Sequence, residues 1–184
     1  MPPFVNPSVA AVRRPSLIPI DAAVAASLAR GAACFEADHG VRLGIAHGWL
    51  HEAVRQSLEH CRRIPRPAPW LGQIAVDGQR QIVGACGFPN DPGADGFAEI
   101  AYQTFPAFER RGHGLAMAAA LLEIVRRAGT IRRVLAHTAS PEGVSARILA
   151  RTGFRNEGEV AHPGHGRVWQ WGAQVRGGQP GVGG

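Results

Sequence analysis

The sequence predicts an α/β (α+β) domain, a mixed and mostly antiparallel twisted sheet flanked by helices. Three observations predict it. Two β-rich runs, LGQIAV and QIVGACGF, flank Asp77-Gly78, a strong hairpin signal. A glycine-bearing turn, Arg111 to Gly114, links the strand FAEIAYQTF to an apolar helix, LAMAAALLEIVRR. Two closing β-rich runs, NEGEVA and GRVWQW, meet at a turn containing Pro163-Gly164.

The remaining elements follow in chain order. Residues 1–17 are Pro-rich and aperiodic and read as a loose leader, residues 18–173 as a single domain, and residues 174–184 as a disordered Gly/Pro tail. Asp21 is placed to cap a short helix, DAAVAASLAR, which Gly31 ends. From about His47 to Arg63, Leu50, Val54, Leu58 and Cys61 recur at helical spacing until Pro65 stops the run. After the Asp77-Gly78 hairpin and the loop PNDPGADG comes the strand from Phe97. The apolar helix then runs from about Leu115 to Arg127 and ends at Gly129. RRVLAHTA reads as a strand, VSARILARTG as a helix with Gly153 as its C-cap, and the last hairpin completes the order.

With 184 residues, 45% hydrophobic and 18% charged, the chain can build one core, and wholesale disorder is excluded. No run reaches the roughly 18 apolar residues of a membrane span. Prolines interrupt MPPFVNPSVAAVRRPS where a signal peptide needs an unbroken apolar stretch. Cys34, Cys61 and Cys86 lack CxxC spacing, so neither a disulfide framework nor a zinc knuckle is written, and a reducing cytoplasm is the expected compartment. The net charge of +6 rests on arginine, because the chain has no lysine. Its arginines lie in dispersed pairs such as Arg62-Arg63 and Arg132-Arg133, which permits anionic partners without specifying nucleic acid.

The chemistry starts at Arg111-Gly112-His113-Gly114-Leu115-Ala116. Small residues between a strand and a helix let backbone N–H groups converge on an anion, and the helix adds its unpaired first-turn donors. The dipole contributes only about 0.3–1 kcal/mol, so several N–H···phosphate bonds must do most of the holding. A Walker loop needs a lysine that is absent, and Met117 stands where a dinucleotide turn needs its third glycine.

This Arg-x-x-Gly-x-Ala turn follows Phe97-Ala98-Glu99-Ile100-Ala101 and precedes, about thirty residues on, Ser145-Ala-Arg147-Ile-Leu149-Ala-Arg-Thr-Gly153-Phe154. The combination resembles the GNAT N-acetyltransferase superfamily, and the last segment is most similar to its branch of ribosomal-protein N-terminal acetyltransferases (RimJ/RimL-like). The resemblance implies an acetyl-CoA-dependent N-acetyltransferase with a strand pair splayed to admit the pantetheine arm. It assigns Arg111, Gly112, Gly114 and Ala116, with His113 and Leu115 between them, to the pyrophosphate. Tyr102 and Ser145 join the expected cofactor-binding set. No metal is expected.

Direct transfer in a ternary complex needs a neutral amine, a donor to the carbonyl oxygen and a proton for the thiolate. Glu99, mid-strand before the cofactor turn, is the expected base; the alternative pairs it with an arginine on a solvated face. Ser145 is a candidate donor to sulfur, or a helix-surface hydroxyl. Leu149 occupies the position where many members carry a tyrosine, and Gly143 the position of an asparagine usual in the branch. Both departures motivate a second reading, a weakly active or inactive acyl-CoA-binding sensor. Backbone N–H groups at a bulge between Glu99 and Tyr102 are the expected donors to the carbonyl.

Other groups carry weaker signals. His47 and His51 sit at i, i+4 without a third ligand. His162-Pro-Gly-His165 reads as a solvated turn, with contact to an acidic substrate as the alternative, and His113 reaches a phosphate or faces water. Trp49 and Phe105 are candidates to wall the acceptor pocket. The acceptor is a small-molecule or protein amine, and the Trp-bearing final strand offers an edge for pairing with a second copy.

Overall fold

The computed structural model describes residues 14–63, 65–89, 92 and 96–175. Eight strands form two four-stranded sheets. The first sheet has the order β1 (Ser16–Pro19), β2 (Gln73–Val76), β3 (Ile82–Gly87), β5 (Ala101–Thr104), all antiparallel. In the second, β4 (Phe97–Glu99) runs parallel to β6 (Arg133–Thr138), and β8 (Gly166–Gln174) lies antiparallel between β6 and β7 (Arg155–His162).

Three N-terminal helices precede β2: α1 (Ala22–Ala29), α2 (Ala32–His39) and α3 (His47–Arg63). The Asp21 carboxylate caps α1 by accepting from the Val24 N–H at 2.9 Å. Helix α2 has no counterpart in the sequence reading, because AACFEADH lacks a long apolar period and buries only Phe35. Helix α4 (His113–Ala128) begins two residues earlier than its apolar run, since Gly112 caps it, and Gly129 ends it with φ of 70°. It packs on β3, β5 and α5 (Val144–Arg151). Thr152 caps α5, and Gly153, with φ of 95°, turns the chain so that Phe154 N–H reaches Leu149 O at 3.0 Å. Ile74, Ile82, Ile100, Met117, Leu121 and Leu149 are fully buried between these layers.

Three expectations change at the edges. Strand β1 begins inside the stretch read as a leader: Ser16 and Leu17 pair with Val76 and Ala75, and Leu17 packs on the core. At the other end Val175 also packs on the core and donates to Arg132 O at 2.8 Å; residues 1–13 and 176–184 lie outside the described ones. The Trp-bearing final strand is not an edge. Flanked by β6 and β7, it has its backbone committed on both sides, and β7 forms that edge of the sheet.

The Asp77 hairpin forms with a longer turn than a two-residue loop. Arg80 takes the left-handed conformation at φ of 65°, and the Asp77 carboxylate accepts from the N–H groups of Gln79 and Gln81 at 2.8 and 2.9 Å.

Behind the second sheet, Trp171 Nε1 donates to Thr138 Oγ1 at 3.0 Å, and Thr138 in turn donates to Ser140 O at 2.8 Å. Both side chains are buried. Thr138→Val keeps the shape and strands the indole N–H, so it should lower stability by about 1–3 kcal/mol in urea unfolding.

Candidate active site

The site is organised by one strand that serves two sheets. FAEIAYQTF is split at Ile100. Upstream, Glu99 pairs with Leu135 of β6, and the Ile100 N–H still donates to Leu135 O at 2.9 Å. Downstream, Ala101 through Thr104 pair with Gly87 through Gly84 of β3 instead. Beyond Leu135, β6 has lost β4 from that edge, and β5 diverges from it. A cleft of about 170 Å³ lies at the split, lined among others by Glu99, Tyr102, His137, Ser145, Leu149 and His162.

Glu99 does not lie on a solvated face. Its side chain is 17% exposed, and its Oε1 lies 2.8 Å from His137 Nδ1 and 4.0 Å from His162 Nε2. The other nitrogen of His137, Nε2, faces Gln170 Oε1 at 3.4 Å. His162 meets the His137 ring edge-on at a centroid distance of 4.9 Å and stacks on the His165 ring at 4.8 Å. The expectation of a solvated histidine turn is therefore corrected for His162: the β7–β8 hairpin folds its ring over the cleft, while exposed His165 lines the rim.

Glu99, His137 and His162 place one potential ligand atom each within 4.8 Å of one another, a set the sequence reading did not assemble. A carboxylate and two imidazoles are transition-metal ligands in kind. However, His162 Nδ1 accepts the Gly164 N–H at 3.1 Å, so the neutral ring carries its proton on Nε2 and shows Glu99 a donor rather than a lone pair.

The glycine turn has the conformation that anion binding requires. Gly112 is the N-cap of α4 at φ of 84°, and Arg110 is also left-handed at φ of 60°. Left-handed residues on either side of Arg111 turn neighbouring N–H groups toward a common concavity. The first-turn N–H groups of Gly112, His113, Gly114 and Leu115 have no acceptor within the helix. Ala116 is different: its N–H already donates to Gly112 O at 3.0 Å, so its amide is removed from the expected set. Gly114 permits a close approach, since a Cβ there would lie 2.9 Å from Ile148 Cδ1 and 3.8 Å from Tyr102 Cε2. Burial holds His113 below the usual histidine range, and the Arg111 guanidinium, which lies over the Phe108 ring, pushes the same way against the opposing charge of Asp77.

Tyr102 connects this turn to the cleft. It lines the cleft, approaches Gly114 and donates its hydroxyl to Ser145 O at 3.3 Å. Burial raises its ionisation well above the ordinary phenol range, so the hydroxyl keeps its proton at neutral pH. Ser145, exposed near the start of α5, lines the same cleft; the N-cap is Gly143, not Ser145. Leu149 is 1% exposed and gives the cleft an apolar wall.

The remaining candidates lie elsewhere. Trp49 and Phe105 stack on each other at 6.4 Å and do not line the cleft. His47 and His51 face each other at 3.2 Å between Nε2 atoms on α3, and burial with the neighbouring His47 charge lowers His51. Burial alone pushes the Cys86 thiol up to about 12, which keeps it from serving as a nucleophile. None of the described helices is long and apolar enough to cross a membrane.

A comparison with protein families matches residues 33–155 to the acetyltransferase (GNAT) domain. No curated protein sequence matches the chain. Among solved structures, the acetyltransferase from Salmonella typhimurium that modifies the N-terminal serine of ribosomal protein L7/L12 is similar over 90% of this chain and 97% of its own, at 15% identity and a TM-score of 0.61. A RimL ribosomal L7/L12 α-N-protein acetyltransferase, solved with coenzyme A, is similar over 70% and 73%, at 17% identity and a TM-score of 0.55. Against a GNAT-family acetyltransferase from Bacillus anthracis the match covers 56% of this chain and 65% of that protein's length, at 18% identity and a TM-score of 0.48. The split strand, the left-handed turn at the start of α4 and the family match over two thirds of the sequence agree: the chain belongs to the GNAT acetyltransferase family, and by that membership it is an N-acetyltransferase.

Proposed function

We propose that the protein moves an acetyl group from acetyl-CoA directly to a primary amine, with Glu99 as the base. One observation carries the reading. A partly buried carboxylate, Glu99, lines the cleft together with Tyr102, and the Tyr102 ring reaches the glycine turn at Gly114. The N–H groups of Gly112 through Leu115, with Arg111 beside them, would hold the pyrophosphate, and acetyl-CoA would supply the acetyl thioester. Glu99 would take the amine proton as nitrogen attacks. Tyr102, kept protonated by burial, and Ser145 are the hydroxyls placed to donate toward the departing sulfur.

The acceptor follows from the base. An alkyl amine of the lysine type is neutral in only about one molecule in 2,500 at pH 7, a deficit of roughly 4–5 kcal/mol. An α-amino group is neutral in about one in seven, a deficit near 1 kcal/mol. A single carboxylate already engaged by His137 is better matched to the smaller deficit, so an α-amine of a peptide or small metabolite is the proposed acceptor. The Salmonella relative that modifies an N-terminal serine supports this choice. The reading places the enzyme in the cytoplasm.

The apolar wall at Leu149 favours the second reading, a sensor that binds acyl-CoA without turnover. A panel of α-amino peptides and lysine-type amines, with thiol release as the readout, separates the two. Turnover with α-amines is the expected result. Failure to bind CoA at millimolar concentration in calorimetry would refute both.

Two variants test the parts separately. Glu99→Gln should lower kcat by about 10²–10⁴ while leaving the KM for acetyl-CoA near its original value. Gly112→Val forces a β-branched residue into a left-handed turn at a cost of about 1–3 kcal/mol, so CoA should bind about tenfold more weakly in calorimetry while far-UV circular dichroism stays unchanged.

A further inference from the structure

The end of β3 supplies part of the cleft lining. β3 pairs with β5 as far as Gly87, opposite Ala101, and the chain continues through Phe88 to Pro89, which lines the cleft together with Glu99. Proline has no N–H, so the backbone of Pro89 can be hydrogen-bonded only through its carbonyl. Phe88 is buried, and a buried carbonyl needs a donor. One side chain serves both residues. Arg66, from the segment that joins α3 to β2, donates through Nη1 to Phe88 O and through Nη2 to Pro89 O at 3.0 Å. Nη2 also reaches His60 Nε2 on α3, and because a guanidinium cannot accept, that nitrogen is the acceptor. The same segment packs Trp70 edge-on against the Phe88 ring at a centroid distance of 4.9 Å. It passes β3 so closely that a Cβ on Gly87 would lie 2.9 Å from Gly72 Cα.

We infer that Arg66 is a positioning residue for the amine acceptor: by holding the carbonyls of Phe88 and Pro89, its guanidinium fork fixes the part of the cleft that the acceptor meets beside Glu99. The inference rests on the proposed reading of the glycine turn as the cofactor's anchor and of Glu99 as the base. Under that reading the residues lining the cleft fall into two groups. Tyr102 reaches Gly114, and Ser145 and Leu149 stand on α5, which packs on α4, so these belong with the cofactor. Pro89 follows β3, and His162 and His165 come from the β7–β8 hairpin, so none of these lies on the strand or the helix that flanks the turn. Glu99 acts on this second group. Its carboxylate faces His162 at 4.0 Å, and its charge reaches His60. At His60, burial and then the Arg66 charge lower the ring below the usual histidine range, against the Pro89 carbonyl and the Glu99 charge. An amine that gives its proton to Glu99 is therefore received on the side that Arg66 holds. The role needs the fork as well as the charge, because an ammonium is a point charge without the planar set of donors.

The test is steady-state kinetics with the α-amino peptide of the panel that the parent protein turns over fastest, alongside thermal unfolding and calorimetry with CoA. Arg66→Met should raise the KM for the peptide about tenfold and leave kcat within about twofold, the pattern of a lost binding contribution. Its affinity for CoA should stay at the parent value. Arg66→Lys should behave like Arg66→Met, since it keeps the charge and loses the fork. Trp70→Leu removes the ring against Phe88 and leaves Arg66 in place, and it should raise the peptide KM by a smaller factor. An unchanged peptide KM in folded Arg66→Met would overturn the inference, whatever the fall in melting temperature. So would Arg66→Lys with parent kinetics, which would assign the effect to charge, or a CoA affinity that fell together with that for the peptide. If neither Arg66 variant folds, an unchanged peptide KM in Trp70→Leu overturns it. Failure of the underlying reading looks different. No turnover by the parent protein with any amine removes acetyl transfer and this role with it. Full activity of Glu99→Gln removes the base alone, while Arg66→Met still shifts the peptide KM.

Discussion

The departure of one strand from its neighbour at Ile100 is the constraint on which the site depends. A strand can satisfy its backbone groups on either side, but the segment from Phe97 to Thr104 takes β6 as a partner for its first half and β3 for its second. Ile100 is 2% exposed and anchors the change of partner in the core. Because the pairing ends on a buried apolar side chain, the divergence is fixed by packing and does not rely on a flexible loop. Glu99 is the last residue paired with β6, so its carboxylate is delivered to the mouth of the opening. The same strand leads through Phe105 and the short 3₁₀ turn Pro106–Phe108 to the left-handed residues before α4. Glu99 and the glycine turn are consequently set on one continuous stretch of backbone.

The electrostatic arrangement follows from that geometry. At the N-terminus of α4 the first-turn N–H groups and the helix dipole favour an anion, and burial holds His113 below the usual histidine range. At the other end, the Glu99 carboxylate faces the rings of His137 and His162.

Much of the fold was readable because it was written locally. Asp21, Gly129 and the Pro65 stop mark helix ends by their own chemistry, and apolar spacing marks α3 and α4. What was not readable came from contacts distant in sequence. The switch of strand partner at Ile100 has no local signal, because Phe97 to Phe105 alternates as one strand. Strand β1 was hidden because Ser16–Pro19 is short and flanked by prolines, and its order comes from pairing with residues sixty positions away. At the site, the glycine turn and Glu99 were legible from sequence, while His137, His162 and Gln170 were not. Alternation along RVLAHT puts His137 on the same face as Leu135, and the register pairs Leu135 with Glu99. That register is a tertiary fact, and without it His137 is one histidine among eight.

Leu149 would be a defect if every acetyl transfer needed a strong acid at the sulfur, and the geometry argues otherwise. A thiol ionises near 8.5, so a departing thiolate is a tolerable leaving group in water and needs only modest assistance at neutral pH. Tyr102 supplies a hydroxyl that burial keeps protonated, held against Ser145 O, from the strand opposite the helix where Leu149 stands. The cleft therefore has a hydroxyl on the side opposite Leu149, and the leucine gives it an apolar wall. In a drier cleft the Glu99–His137 contact gains strength, because the competing water is removed. Leu149 on α5 and His137 on β6 thus shape the same cleft from two elements, one giving it an apolar wall and the other contacting the Glu99 carboxylate.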